Sequence, residues 1–193
     1  MYKLIKHRGS HDKYIKENSY EGIKDSLNND DYLGVEFDIR ATKDDELVLF
    51  HDPFYKDKLI SNTYYSELPK YVPKLEDILN ISSNKIFLIE IKNIGNNYEK
   101  LINILDKHDD KNIWVMSFSN NSIRNINRKG RKYKIGVLNY VLNTSDDILK
   151  MDFICVLNSL ITEDLINSHS NLIVVSYGIN KIKKFKQIFY IVD

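Results

Sequence analysis

The run Gly34-Val35-Glu36-Phe37-Asp38-Ile39-Arg40, then Ala41-Thr42-Lys43-Asp44-Asp45-Glu46, then Leu47-Val48-Leu49-Phe50-His51 decides the fold. The first and last of these segments read as strands, and six residues join them. Parallel neighbours need a crossover of a dozen or more residues, and this connection has about half that. Residues 47–51 are therefore expected to fold back on 34–40 as an antiparallel hairpin arm.

That arm matters for the count. Strand-like runs cover residues 4–7, 34–40, 47–51, 86–91, 113–118, 133–138, 152–157, 172–177 and 188–192. Amphipathic stretches lie between most of them, such as 97–107, with Leu101, Ile102 and Leu105 at helical spacing. Asn18-Ser19-Tyr20-Glu21 has the form of a capping box, with Asn18 as N-cap and Glu21 at N3, which starts a first helix. Alternating β and α segments predict an α/β domain with a parallel sheet. Setting the hairpin arm aside leaves eight parallel strands, the number a TIM-type (β/α)8 barrel needs. No repeat, linker or low-complexity tract interrupts the series, so residues 1–193 are expected to form one domain.

Composition bounds the function classes. With 193 residues, 42% hydrophobic and 28% charged, the chain has the balance of a globular protein with a real core. Its formal net charge of +1 gives no global field to attract nucleic acid or an anionic membrane. Any anionic substrate must be met by local cations. Cys155 is the single cysteine and lies in the apolar run Phe153-Ile154-Cys155-Val156-Leu157, which reads as core and excludes an intrachain disulfide. The N-terminal residues show no signal-peptide core, and no stretch approaches the roughly 18 apolar residues that span a bilayer. A cytoplasmic, soluble protein without stable membrane insertion is expected.

Charged residues interrupt the apolar strands in pairs. Glu36 and Asp38 are two apart, as are Glu90 and Lys92, so each pair shares a strand face. Charges in such strands are expensive to bury unless paired or bound to an ion. Three carboxylates at one barrel mouth would offer an oxygen site for one hard divalent cation, Mg2+ or Ca2+. Spacing alone equally allows a solvated face, or ion pairs with Arg40 and Lys92. His7 and His51 each end an apolar run before a turn, at strand ends where barrel active sites are built. Two groups that titrate near neutrality suit a general acid and a general base. His11, His108 and His169 sit in polar surroundings and read as surface residues.

The motifs gain weight when taken in order. They are His7-Arg8-Gly9, Glu17-Asn18-Ser19, Glu36-Phe37-Asp38-Ile39, Thr42-Lys43-Asp44, His51-Asp52, residues 72–79 and Ile89-Glu90-Ile91-Lys92. In this order they resemble the glycerophosphodiester phosphodiesterase family. Ser117-Phe118, Tyr177-Gly178-Ile179-Asn180 and Val192-Asp193 extend the resemblance more loosely to the end of the chain. It implies that Glu36, Asp38 and Glu90 hold a divalent cation. It further implies that His7 and His51 form the acid–base pair, that Arg8 and Lys92 contact the phosphate, and that Tyr177 walls the substrate pocket. The implied activity is hydrolysis of glycerophosphodiesters to sn-glycerol 3-phosphate and an alcohol, with a small molecule as partner. A lysophospholipid or phosphoinositide phosphodiesterase on the same scaffold is the alternative, and a non-catalytic binding barrel is a third.

Some positions depart from the family pattern. Lys16 stands where proline is usual, Asp45 where glycine follows Thr-x-Asp, and Tyr177 where tryptophan is usual. The family usually continues into a final helix after its last strand, whereas this sequence stops at Asp193. The outward residues of strand 188–192 are therefore expected to lack a covering helix. Either the N-terminal side of the barrel or a second copy of the chain in a homodimer would close that face, the latter being the expectation.

Overall fold

The computed structural model describes residues 1–140, 150–170, 172–179 and 181–193. Its first half runs β1 (Lys3–Lys6), α1 (Tyr20–Asn28), β2 (Gly34–Ala41), β3 (Leu47–Leu49), β4 (Phe54–Tyr55), β5 (Lys58–Leu59), α2 (Leu75–Leu79) and β6 (Ile86–Asn93). There follow α3 (Tyr98–Lys107), β7 (Asn112–Ser117), α4 (Asn120–Ile126), β8 (Lys134–Asn139), β9 (Phe153–Leu157), α5 (Glu163–Ser168), β10 (Ile173–Tyr177) and β11 (Phe189–Val192). Strands β1, β2 and β6 to β11 pair in parallel, and β1 contacts both β11 and β2, so the ring closes. The result is the expected TIM-type (β/α)8 barrel.

The deciding hairpin forms as expected, with Ala41 opposite Leu47 and Ile39 opposite Leu49 in an antiparallel pair. Asp45 holds the turn at φ 60°, where glycine would be usual, and its N–H donates to the Thr42 carbonyl at 3.1 Å. A short polar side chain tolerates this left-handed geometry better than most. The arm is shorter than expected, because β3 ends at Leu49. The Phe50 N–H still donates to the Asp38 carbonyl at 3.1 Å, which leaves His51 beside the upper part of β2. The small β4–β5 hairpin was not foreseen, since two residues a side carry no readable period.

Helix α3 covers the expected span and buries Leu101, Ile102, Ile104 and Leu105. Helix α1 requires a correction. Its N-cap is Ser19, whose hydroxyl accepts from the Gly22 N–H at 3.2 Å. Asn18 lies one residue earlier at φ 54°, with its side chain turned towards the barrel.

Two apolar layers hold the molecule together. Ile5, Leu88, Trp114, Met116, Phe153 and Cys155 belong to the cluster inside the barrel. Phe37, Ile39, Ile89, Leu101 and Leu105 belong to the outer layer, between strands and helices. Both strands that carry the charges are buried on both faces: β6 opens as the apolar run Ile86-Phe87-Leu88-Ile89, whereas β2 alternates apolar residues with Glu36, Asp38 and Arg40. Cys155 is free and buried, as expected.

The expected bare patch on the last strand does not exist. Tyr190 is fully buried, its ring edge-on to Tyr2 at 5.9 Å. Its hydroxyl donates to the Lys183 and Phe185 carbonyls, both at 2.9 Å, while Ile182 and Phe185 pack on the same cluster. Local chain thus covers the outer face, which removes the reason given for pairing two copies there. Among the described residues, no helix is long and apolar enough to cross a membrane.

Inside the barrel, Gly136 makes room for Phe153: a Cβ there would lie 2.5 Å from two ring carbons of that fully buried side chain. Gly136→Ala should therefore cost roughly 1–3 kcal/mol in a urea melt, as overpacked cores do. Adding Phe153→Leu should return part of that loss, and equal stability of Gly136→Ala and wild type would show that the ring can yield.

Candidate active site

The parallel register of β2 and β6 sets Asp38 opposite Glu90, and the two-residue period brings Glu36 to the same inner face. All three carboxylates are buried, at 2%, 1% and 6% exposure, and one oxygen from each lies within 4.8 Å of the others. Such a cluster needs counter-charge and hydrogen bonds. Lys92 supplies the first, its Nζ 2.6 Å from Glu90 Oε1 and 3.2 Å from Asp38 Oδ1. The Arg8 N–H donates to Glu36 Oε2 at 3.2 Å, and Arg8 Nε lies 3.3 Å from Asp38 Oδ2. That last approach lacks hydrogen-bond geometry, so Nε is a buried donor without a partner among the described residues. Arg8 Nη1 is held by Glu17, at 3.0 and 3.2 Å from its two oxygens.

Asn18 braces the cluster from behind. Its Nδ2 donates to Asp38 Oδ2 at 2.9 Å, and its Oδ1 accepts from the Asp38 N–H at 3.0 Å. Its own N–H donates to the Arg8 carbonyl at 2.8 Å, which ties the two loop ends together. Arg8 and Gly9 turn the chain at φ 53° and 77°. A Cβ on Gly9 would meet the Gly22 backbone at 2.8 Å, so the close approach of this turn to α1 requires glycine.

The electrostatics follow from burial. Burial, reinforced by Asp38 and Glu90, pushes the Glu36 carboxyl well above its ordinary range. Burial also raises Glu90, against the pull of Lys92. Burial alone would lower Lys92, but Asp38 and Glu90 outweigh it and hold the ammonium above its usual value.

The two histidines are held alike. His7 follows β1, and its Nδ1 lies 2.6 Å from Asp193 Oδ1, leaving Nε2 at 3.9 Å from Glu36 Oε2. His51 Nδ1 lies 2.8 Å from Asp52 Oδ1. The His51 carbonyl accepts from Arg40 Nε and Nη2, at 2.9 and 2.7 Å. A carboxylate on Nδ1 favours the tautomer that leaves Nε2 unprotonated. Burial lowers the His7 pKa, with Asp193 acting against it.

His7, Arg8, Glu36, His51, Glu90 and Lys92 all line one cavity of about 260 Å³ at the carboxyl end of the strands. Asp38 sits behind them, under Arg8 and Lys92. The opposite wall is apolar and aromatic. Phe118 stacks on Tyr140 with centroids 4.4 Å apart, and Tyr177 stands nearly perpendicular to Phe118 at 6.1 Å. Asn180, part of the Tyr177–Asn180 motif, lies outside the described residues. His11, His108 and His169 are not among the residues that line this cavity. Reading residues singly missed Asn18, Glu17, Arg40, Asp52 and Asp193 as supports. Asp52, the Glu17-Asn18 pair and, more loosely, Asp193 carried a signal through their place in ordered motifs; Arg40 did not.

Three buried carboxylates form an all-oxygen donor set that suits a hard divalent cation, and Glu36, Asp38 and Glu90 could hold one. The site lies where barrel enzymes carry theirs, at the ends of the strands, with acidic and basic groups converging on one cavity. The molecule is thus of the (β/α)8 class with a charged, histidine-bearing mouth. The glycerophosphoryl diester phosphodiesterase family model matches residues 7–181, and the chain belongs to that family. A glycerophosphodiester phosphodiesterase of Caldanaerobacter subterraneus subsp. tengcongensis is 29% identical, over 70% of this chain and 65% of that protein, so the chain spans about two thirds of the relative's length. Among solved structures, an Oleispira antarctica phosphodiesterase in complex with the product sn-glycerol-3-phosphate superposes with a TM-score of 0.79 at 17% identity, covering 97% of this chain and 92% of that one. A Thermotoga maritima glycerophosphodiester phosphodiesterase gives 0.72 at 20% identity, covering 99% and 94%.

Two outcomes are expected from the buried cluster. In EDTA, Glu36→Gln should raise the melting temperature by about 2–4 °C, because it relieves like-charge repulsion under burial. The gain should grow with pH: a carboxyl whose folded pKa lies above its unfolded value loses stability as it ionises. A lower melting temperature at every pH would mean that Arg8 and Lys92 already compensate the charge. Asn18→Ala should cost roughly 2–4 kcal/mol in urea, from a lost charged hydrogen bond and a left-handed backbone. Asn18→Gly should be milder, since it keeps the backbone and loses only the amide.

Proposed function

We propose that the protein is a cation-dependent phosphodiesterase that hydrolyses glycerophosphodiesters to sn-glycerol 3-phosphate and an alcohol. The observation that carries this reading is one cavity lined by Glu36, Glu90 and two carboxylate-tethered histidines, with Asp38 buried directly behind as the third acid of the cluster. Glu36, Asp38 and Glu90 would hold Mg2+ or Ca2+, and the bound cation would polarise a phosphoryl oxygen. The cluster's three carboxylates exceed the charge of Arg8 and Lys92 by one, an excess that a dication would offset. The family match and the product named for the Oleispira antarctica relative support this substrate class.

The remaining chemistry belongs to the chain's own side chains. Arg8, with its unpartnered Nε, and Lys92 would donate to the phosphoryl oxygens and stabilise charge that builds up on them. One histidine Nε2 takes a proton from the attacking oxygen as the new P–O bond forms. That oxygen belongs to water or to a neighbouring substrate hydroxyl, in which case a second attack by water opens the cyclic phosphate to the product. The other histidine delivers a proton to the alcohol oxygen as its P–O bond breaks. Asp193 and Asp52 fix the two rings for these transfers.

A second reading, hydrolysis of a lysophospholipid, is favoured by the apolar half of the cavity. Met116, Leu138, Ile191 and the half-exposed Phe118–Tyr140 stack offer a wall for an apolar substituent.

Turnover of glycerophosphocholine, glycerophosphoethanolamine and a lysophospholipid, each with Mg2+, Ca2+ or EDTA, separates the two. We expect turnover of the glycerophosphodiesters with a divalent cation and none in EDTA; full activity in EDTA would sink the cation's role. Exclusive turnover of the lysophospholipid would select the second reading. His7→Ala and His51→Ala should each lower kcat by about 10²-fold or more without changing the melting curve. Wild-type kcat in either variant would remove that histidine from the mechanism.

A further inference from the structure

A second concavity, of about 510 Å³, lies where the strands begin, and it shares no lining residue with the cavity that holds the histidines. Lys3, Lys134, Ile173 and Phe189 are the first residues of β1, β8, β10 and β11, and all four line it, with Trp114 and His169. Trp114 and Phe189 meet edge to face at 5.1 Å. An ammonium rests on each ring: Lys134 Nζ lies 5.1 Å from the Trp114 centroid, and Lys3 Nζ 4.8 Å from that of Phe189.

Charge sets this place apart. The chain as a whole carries 28 Lys and Arg against 27 Asp and Glu, and its lysines commonly pair, as Lys58 does with Glu67 and Lys132 with Asp109. Among the described residues, no Asp or Glu lines this depression. Lys3 Nζ donates only to the Gln187 carbonyl, and among the described residues neither ammonium has a carboxylate within ion-pair distance. A concave, low-dielectric wall bearing one sign of charge concentrates counter-ions. Ammoniums already steered by cation–π contact lose less freedom on binding than free surface lysines. Half-buried Phe189 and Ile173 add aromatic and apolar surface that a bare inorganic ion would not use, with the buried Trp114 ring packed behind Phe189.

We propose that this depression is a binding site for a small organic anion with an aromatic or flat apolar body. The negative group sits between Lys3 and Lys134, and the body lies against Phe189 and Ile173, with Trp114 directly behind them. Occupancy is independent of the chemistry at the other end of the barrel, which uses none of these residues.

Trp114 is the chain's sole tryptophan, so its emission reports on the site directly. Phenyl phosphate is the probe, with inorganic phosphate and phenol as half-ligands. We expect a saturable change in emission with phenyl phosphate, at least about tenfold tighter than with either half-ligand. The double variant Lys3→Met with Lys134→Met should weaken binding about tenfold or more, the corresponding Arg pair should retain it, and glycerophosphocholine turnover should be unchanged in both. No saturable change, equal affinity in the Met pair, or phenol binding as tightly as phenyl phosphate would each overturn the proposal. Should the Met pair fail to fold by circular dichroism, Lys134→Met alone and a rise in NaCl from about 0.05 to 0.5 M decide the matter. Affinity that withstands both would refute the anion site.

Discussion

Glu36, Asp38 and Glu90 stand within 4.8 Å of one another under nearly complete burial. Like charges so close in a low dielectric repel, and each has lost much of its hydration. The open end of the barrel is organised around that cost. Lys92, two residues from Glu90 on the same strand face, sets its ammonium between Glu90 and Asp38. Arg8 closes the other side through its backbone N–H and guanidinium, and Asn18 takes the remaining oxygen of Asp38. These partners in turn require an unusual backbone: Arg8 and Asn18 both hold left-handed φ angles, and Gly9 lets the turn press against α1. Strain of this kind persists where the surroundings over-determine it, and here the carboxylates do so.

The same constraint orders the cavity's chemistry. Burial raises the Glu36 carboxyl even though the Arg8 N–H and guanidinium pull against it. Each histidine is tethered at Nδ1 by a carboxylate from outside the cluster, Asp193 for His7 and Asp52 for His51. The acids thus divide by place: the buried three on β2 and β6 face inwards, while the two exposed ones orient rings. The cavity itself is two-sided, with charge on the β1–β2–β6 side and aromatic surface beyond β7, β8 and β10.

The two ends of the barrel differ in how they treat charge. At the carboxyl end, cations and carboxylates are interleaved at ion-pair distance. At the amino end, Lys3 and Lys134 rest on rings instead. Phe153, packed over Gly136, belongs to the apolar interior that includes Trp114 and Met116, so the barrel is filled rather than open as a channel.

Much of this was legible in the linear sequence, for physical reasons. Chain length forbids a parallel crossover over Ala41–Glu46 in six residues, which fixed the hairpin and hence eight barrel strands. The two-residue strand period placed Glu36 with Asp38 and Glu90 with Lys92, because side chains on a strand must alternate. Strand ends pointed to His7 and His51, and the ordered motifs added Arg8 through family resemblance. Partnership across the fold was beyond the sequence's reach. Asn18 has the form of a helix cap locally, yet a stronger partner twenty residues away takes its amide and hands the cap to Ser19. Arg40 reads as an ion-pair candidate, yet it forks onto the His51 carbonyl. His7 and Asp193 meet only because β11 closes the ring against β1. Tyr190, which the sequence left bare, is covered because residues 181–186 fold over it. Local periods and chain length act between neighbours and survive in the sequence; competition among hydrogen-bond partners and closure of the barrel exist only once distant segments meet.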